Sequence, residues 1–331
     1  MLARRVLFKW VGLGGLCLVA IAACKETSTE QPPASPKAVV NPETVAPPKA
    51  TAALSYDVFV SDPIPFKEVE KAPNGEARTF SAISSTLIFG ATDAVLVDPP
   101  LTTAQTERVA QWVAGHGRHL TYVFSTHAHG DHWFGTALLL KHFPGATALA
   151  SPGTIEMMRI QAENRAKWWD PGFPGQIPDS PVVATPPAGN TFTLEGNDLR
   201  IVEVGHTDTD KTTVLYVPSI GLVVAGDVVY NGVHQYLAEA ANGGIDAWIQ
   251  NLATVSALQP KHVVAGHKNK ALSDDPKAIE ETRRYLEDAK KTMATSHTAL
   301  EFYDGMTKLY PDYLNRSAVW FWEAKPLFPK T

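Results

Sequence analysis

Six consecutive positions, His127-Ala128-His129-Gly130-Asp131-His132, carry three imidazoles and one carboxylate. Imidazole nitrogen and carboxylate oxygen are the donors that hold zinc and related borderline cations. Residues so close in sequence converge on metal centres from a loop rather than a helix. This run directly follows an apolar segment, Leu120 to Ser125, that predicts a buried strand. Metal binding is therefore the chemistry the run points to. No Gly-x-Ser-x-Gly elbow is present to supply a serine nucleophile. The two cysteines are Cys17 and Cys24, so the chain beyond them offers neither a disulfide nor a thiolate ligand.

The pattern His127-x-His129-x-Asp131-His132 resembles the signature of the metallo-β-lactamase superfamily, and the order of later elements is similar over residues 56 to about 290. Gly205-His206-Thr207, Gly226-Asp227 and Gly266-His267, each after an apolar run, match the family's later ligand positions. The resemblance implies an α/β fold, the αβ/βα four-layer sandwich, with the site at the edge between its two sheets. It also implies one metal on His127, His129 and His206, a second on Asp131, His132 and His267, and Asp227 bridging both. Two zinc ions are expected, with iron or manganese as the other cations such donors accept. In the family a metal-bound hydroxide attacks the substrate, because metal binding lowers the pKa of water from about 15.7 toward 7. Asp131 belongs to that catalytic centre. Asp98 resembles the family's aspartate beneath the metal loop, a carboxylate that fixes a histidine tautomer. Standing before Pro99, it also suits a turn or helix cap.

The elements that must position these residues are readable as well. Ser85 to Phe89 and Ala94 to Val97 predict paired strands around a Gly90-Ala91-Thr92-Asp93 turn, with a helix from about Thr103. Helices are expected over Trp133 to His142 and Thr154 to Trp168, with a strand over Ala146 to Ala150 between them. Asn190 to Leu194 with Leu199 to Val204, and Thr212 to Val217 with Leu222 to Ala225, predict two hairpins. A helix over Asp246 to Ala257, a strand over His262 to Ala265 and a helix after Asp274-Asp275-Pro276 complete the set. The C-terminal segment around Trp320, Phe321 and Trp322 is aromatic and poorly periodic. His116, His119, His142, His262 and His297 match no motif position and are read as ordinary histidines.

An aspartate at position 227 stands where the zinc β-lactamases resembling this signature use a cysteine or lack an acidic ligand. This favours relatives that are lactonases, glyoxalase II-like thioesterases, sulfatases or phosphodiesterases over a dedicated β-lactamase. The substrate expected is a small, neutral or weakly polar ester-type carbonyl compound, a lactone or aryl ester. Trp133, Trp168, Trp169 and Phe173 supply apolar surface near the site, and Arg165 and Lys167 are the cations near the expected lid, Trp168 to Pro187. His234 and Tyr236 are candidates to hydrogen-bond a substrate oxygen, with packing as the plainer role. Two non-hydrolytic readings stand beside these. A flavodiiron-like redox protein would replace one histidine by a carboxylate, whereas His129 is a histidine; an inactive metal-binding module would have lost ligands.

The first 23 residues read as a lipoprotein signal peptide, with Arg4, Arg5 and Lys9 before an apolar run from Trp10 to Ala23. Ile21-Ala22-Ala23-Cys24 resembles a lipobox, so Cys24 is expected to become a lipidated N-terminus. Arg4 to Lys9 also resembles a twin-arginine signal. Residues 24–54, rich in Pro, Ala, Thr, Glu and Lys, predict a flexible tether, with the hydrolase domain and its helical extension over 55–331. The enzyme is thus expected in the cell envelope, anchored to a membrane and facing the periplasm. A net charge of -5 without a basic block gives no footprint for nucleic acid, and 44% hydrophobic residues suit a folded core. Nothing in the sequence speaks to oligomeric state.

Overall fold

Apolar runs separated by glycine-rich turns become two five-stranded sheets in the computed structural model, which describes residues 51–67, 70–240 and 243–329. The first half of the domain comprises β1 (Ser55–Ser61), a short hairpin of β2 (Ile64–Pro65) and β3 (Thr79–Phe80), β4 (Ile83–Phe89), β5 (Asp93–Val97), α1 (Thr103–Gly115), β6 (His119–Phe124), α2 (Thr136–His142), β7 (Thr147–Leu149) and α3 (Pro152–Trp168). The second half comprises β8 (Thr191–Leu194), β9 (Asn197–Gly205), β10 (Thr212–Val217), β11 (Leu222–Asn231), α4 (Gly244–Ala257), β12 (His262–Lys268), α5 (Lys277–Thr295) and α6 (Ala299–Leu309). A last helical stretch runs through Arg316–Ala318, a π-type turn at Val319–Ala324 and Lys325–Leu327. Its wider winding explains why the aromatic C-terminus shows no 3.6-residue period. Among the described residues no helix is long and apolar enough to cross a membrane.

The strand orders are β1-β4-β5-β6-β7 and β12-β11-β10-β9-β8. Their inner faces meet in one apolar layer containing Ile88, Val95, Phe124, Leu199, Leu215, Val224 and Val264. The outer face of the first sheet packs Leu96 and Val123 against Val109, Val113 and Leu139 of α1 and α2. That of the second packs Val223 and Val263 against Trp248, Leu252, Tyr285 and Phe302 of α4, α5 and α6. The result is the four-layer αβ/βα sandwich. Fully buried Trp248 also donates to the Val228 carbonyl at 2.9 Å, so its truncation to alanine should cost about 3–5 kcal/mol.

Several boundaries differ from expectation for local reasons. A turn of 3₁₀ helix at Gly130–His132 delays α2 to Thr136, whereas Ser151, accepting from the Thr154 N–H at 3.1 Å, starts α3 at Pro152. Glu195 and Gly196, at φ +46° and +82°, close β8 onto β9 as a two-residue turn. The end of the expected tether is held down, since Ala52 donates to the Glu195 carbonyl at 3.3 Å and Leu54 is buried. Cys24 lies outside the described residues.

The largest difference is β11, which does not stop at Ala225 but continues to Asn231 with every residue buried. Gly226 lets it do so. At φ +51° it breaks the register with β12, and a Cβ there would lie 2.2 Å from the Thr126 hydroxyl. Thr126 is thus the point where the sheets meet, its carbonyl accepting from the N–H and hydroxyl of Thr213 at 3.0 and 2.7 Å.

Candidate metal centre and cavity

The loop after β6, the break in β11 and the end of β12 converge at that edge. One group of donors there is His127, His129, Asp208 and Asp227, and another is Asp131, His132 and His267, all buried, with ligand-capable atoms in each group within 4.8 Å of one another. His132 Nε2 lies 3.3 Å from Asp131 and 3.2 Å from Asp227, and His267 Nε2 lies 3.3 and 3.2 Å from the same pair. Asp227 therefore stands between both groups. Glycine is required behind it, because a Cβ at Gly266 would fall 2.1 Å from Asp227 Oδ1.

A surrounding layer of hydrogen bonds orients these donors. Asp98, held at φ +56°, accepts from the Thr126 N–H and hydroxyl at 2.8 Å each and faces His132 Nδ1 at 3.2 Å. The Ala82 carbonyl fixes His267 Nδ1 at 2.8 Å, and the Tyr230 hydroxyl donates to Asp227 Oδ2 at 2.8 Å. Glu239 meets His129 Nε2 at 3.1 Å while accepting from Thr209 at 2.7 Å. Trp133 is buried beneath the loop and donates to the Ala128 carbonyl at 2.8 Å, which settles it as packing.

The donors fit metal ions. Among the described residues, His127 Nε2, His132 Nε2, Asp131 Oδ2 and Asp227 Oδ1 are buried without a hydrogen-bond partner, an expensive condition unless something cationic sits among them. Electrostatics agree. Burial alone would raise the Asp131 carboxyl, but the His132 and His267 rings outweigh it and hold it well below the carboxylate range. Burial would lower His267, yet Asp227 and Asp131 push it up to about 10. Such imidazole–carboxylate pairs exchange protons for metal on binding.

His206 is where family pattern and structure part. It stands outside the cluster, its Nδ1 2.7 Å from Asp210 and its ring against Gly244. Asp208 takes the inward place, 2.9 Å from His129 Nδ1 and 3.6 Å from His127 Nε2. The loop is wound by its hydroxyls: Thr207 donates to Asp208 at 2.9 Å, and Thr212 to the Thr209 carbonyl at 3.1 Å. This winding turns Asp208 toward His127 and His129. Nothing in the sequence pattern signalled Asp208 or Glu239. The sign is structural: Asp208 is buried against His127 and His129, and Glu239, more exposed, faces His129 Nε2.

Above the cluster opens a cavity of about 420 Å³, into which His129, Asp131, Asp227 and His267 project. Its walls are largely aromatic, with Phe66, Phe80, Trp169, Phe173, Tyr236 and Trp322 prominent. Trp168 is at the rim, 48% exposed, while Phe173 is buried, so the expected lid is half rim and half core. His234 and Tyr236 both line the wall. Tyr236 reaches Glu239 at 3.4 Å. The cations differ from expectation: Lys167 lines the cavity, but Arg165 is tied to Asp170 at 2.8 Å and to the Ile177 and Pro178 carbonyls. Arg78 takes its place, its guanidinium 4.3 Å from both the Phe66 and Trp322 rings. His116, His119, His142, His262 and His297 are not among the cavity residues.

A four-layer sandwich with His and Asp groups at its sheet edge defines a class of metal-site proteins, and comparison supplies the family. The model described as the metallo-beta-lactamase superfamily matches residues 78–267, and the chain belongs to that superfamily. It is similar to a hydroxyacylglutathione hydrolase of Synechococcus sp. (strain CC9902), 31% identical over 147 residues, 42% of this chain and 49% of that protein. It is also similar to a metallo-beta-lactamase type 2 of Bacteroides fragilis, 24% identical over 178 residues, 53% of this chain and 64% of that protein. The chain thus matches less than two thirds of either relative. Among solved structures, a metallo-beta-lactamase family protein from Thermus thermophilus superposes with TM-score 0.55 at 19% identity, covering 82% of this chain and 91% of that one. A metallo-beta-lactamase from Pontibacter korlensis gives 0.50 at 19% identity, covering 71% and 100%. These likenesses are of fold.

Proposed function

We propose that the protein is a metal-dependent hydrolase of an ester-type carbonyl compound, with a lactone or aryl ester favoured over a phosphodiester or β-lactam. The observation that carries this is the placement of the two donor groups at the floor of an aromatic-walled cavity. When bound, two ions supply an acidified water and polarise the carbonyl. Zinc suits the nitrogen and oxygen donors, as do iron and manganese. The chain's own residues do the rest. Asp98 and the Ala82 carbonyl hold His132 and His267 in position, Tyr230 holds Asp227, and the aromatic wall excludes water and orients an apolar acyl compound. A phosphodiester would call for several convergent cations, and Arg78 is engaged between aromatic rings.

A thioester is the second reading, supported by the similarity to the Synechococcus hydroxyacylglutathione hydrolase. The test is kcat/KM across matched lactone, aryl ester, thioester, phosphodiester and β-lactam substrates. A phosphodiester preference of about tenfold, roughly 1.4 kcal/mol in transition-state binding, overturns the reading. The lipobox-like run supports a further proposal, attachment to a membrane through Cys24. Mature protein is expected to begin at a lipidated Cys24, and Cys24→Ser is expected to block that processing and leave residues 1–23 attached, read by mass spectrometry.

A further inference from the structure

Immediately after β11, His234 and Gln235 are each 1% exposed and both line the cavity. Their neighbours leave each an unused polar atom: among the described residues, His234 Nε2 and Gln235 Oε1 have no hydrogen-bond partner. The corner is rigid. The His234 N–H donates to the Leu314 carbonyl at 3.1 Å, and a buried chain anchors the ring, with His234 Nδ1 2.8 Å from the Tyr285 hydroxyl, which donates to Glu323 at 2.6 Å. Nδ1 is thereby committed to the interior, which leaves Nε2 for whatever enters. Two covered and unsatisfied polar atoms on neighbouring residues of one cavity wall are costly unless a ligand completes them.

We propose that this corner is a specificity subsite, in which Gln235 Oε1 and His234 Nε2 hold a hydroxyl or amide N–H carried by the acyl substrate away from the bond that is cleaved. Gln235 Oε1 accepts from that donor. A hydroxyl satisfies both atoms when the chain runs from Glu323 through Tyr285 to His234 Nδ1, its hydrogen going to Gln235 Oε1 and its oxygen accepting from His234 Nε2–H. When Tyr285 donates to Glu323, both atoms are acceptors and the two hydrogens of an amide NH2 satisfy them. A plain alkyl or aryl ester satisfies neither atom. Tyr285 and Glu323 are positioning residues that act through the ring.

The inference rests on the ester reading, and its experiment separates the two. Full-length zinc-loaded protein is assayed on para-nitrophenyl β-hydroxybutanoate and para-nitrophenyl isovalerate, which differ only by hydroxyl for methyl. In parallel, binding of the two corresponding phenyl ketones, which cannot be hydrolysed, is measured by calorimetry. The hydroxyl partner is expected to be favoured about tenfold in both arms, the worth of one good hydrogen bond. Gln235→Leu should bring the ratio to about one, and His234→Phe and Tyr285→Phe should lower it, whereas a merely structural role would weaken both partners alike. Gln235→Met replaces the leucine variant if that does not fold. A wild-type ratio near one in the ketone arm, or a ratio unchanged by the Gln235 and His234 variants, overturns the subsite. If neither ester is cleaved while the ketone ratio behaves as expected, the ester reading falls and the subsite stands.

Discussion

The floor and the wall of the cavity are built in opposite ways. The floor takes its donors from strand ends and the loop between them, tightly packed, polar and held by short hydrogen bonds. The wall is gathered from the β3 hairpin, the end of α3, the segment after β11 and the C-terminal helical stretch, and it is mostly aromatic. Chemistry that needs fixed geometry is thus assigned to residues the sheets hold directly, while the surface that chooses a substrate is assigned to connections, which vary without disturbing the core.

The sharpest way to break this division is to attack the floor. Chelation, or His267→Ala, should cost at least about 10³-fold in kcat, as expected when the group supplying the nucleophile is lost. Elemental analysis should read about two ions per chain before the change and fewer after it. Zinc should restore the chelated wild type.

Next in size is the contest between Asp208 and His206. If the loop keeps the winding described above, Asp208→Ala should reduce both metal content and activity by about 10²-fold, and His206→Ala by much less. The reverse order, read by the same metal analysis, would return the site to the family pattern. Asp98→Asn, which keeps the shape but loses the charge facing His132, should cost about 10–100-fold in metal affinity or activity.

The smallest effect expected concerns the support behind the wall. Burial pushes the Glu323 carboxyl up to about 8, with the Tyr285 hydroxyl drawing it back only in part. The folded state then keeps a proton that the unfolded chain has released, so stability should fall as pH rises from about 5 through 8. The slope is bounded by about 1.4 kcal/mol per pH unit for one group. Denaturant midpoints of the metal-free protein across this range should show it, and Glu323→Gln should flatten it. An equal slope in both proteins would assign it elsewhere.

The same division explains what the sequence disclosed. Ligands at strand ends are legible because the apolar run, the glycine and the donor are contiguous, as in Val263-Val264-Ala265-Gly266-His267. Strand β11 is longer than its apolar run suggests because Gly226 looks like a stop, whereas burial of every residue carries the strand past it. Asp208 and Glu239 escaped because the direction of a loop side chain is decided by hydroxyl bonds that no spacing records. Arg78 escaped because its rings, Phe66 and Trp322, are far apart along the chain.

That last distance bears on how the molecule is made. Thr79 donates through its N–H to Ser317 at 3.3 Å and through its hydroxyl to Asn315 at 3.1 Å, a separation of 238 residues in the first case. Arg78 is stacked on Trp322 beside them, and Lys325 pairs with Glu70 at 2.6 Å. Every metal donor has been synthesised by His267, but this clasp waits for the end of the chain. Closing so long a loop is slow as well as entropically costly. A growing polypeptide thus carries every donor of the metal-binding edge before the residues that close the cavity wall have been made.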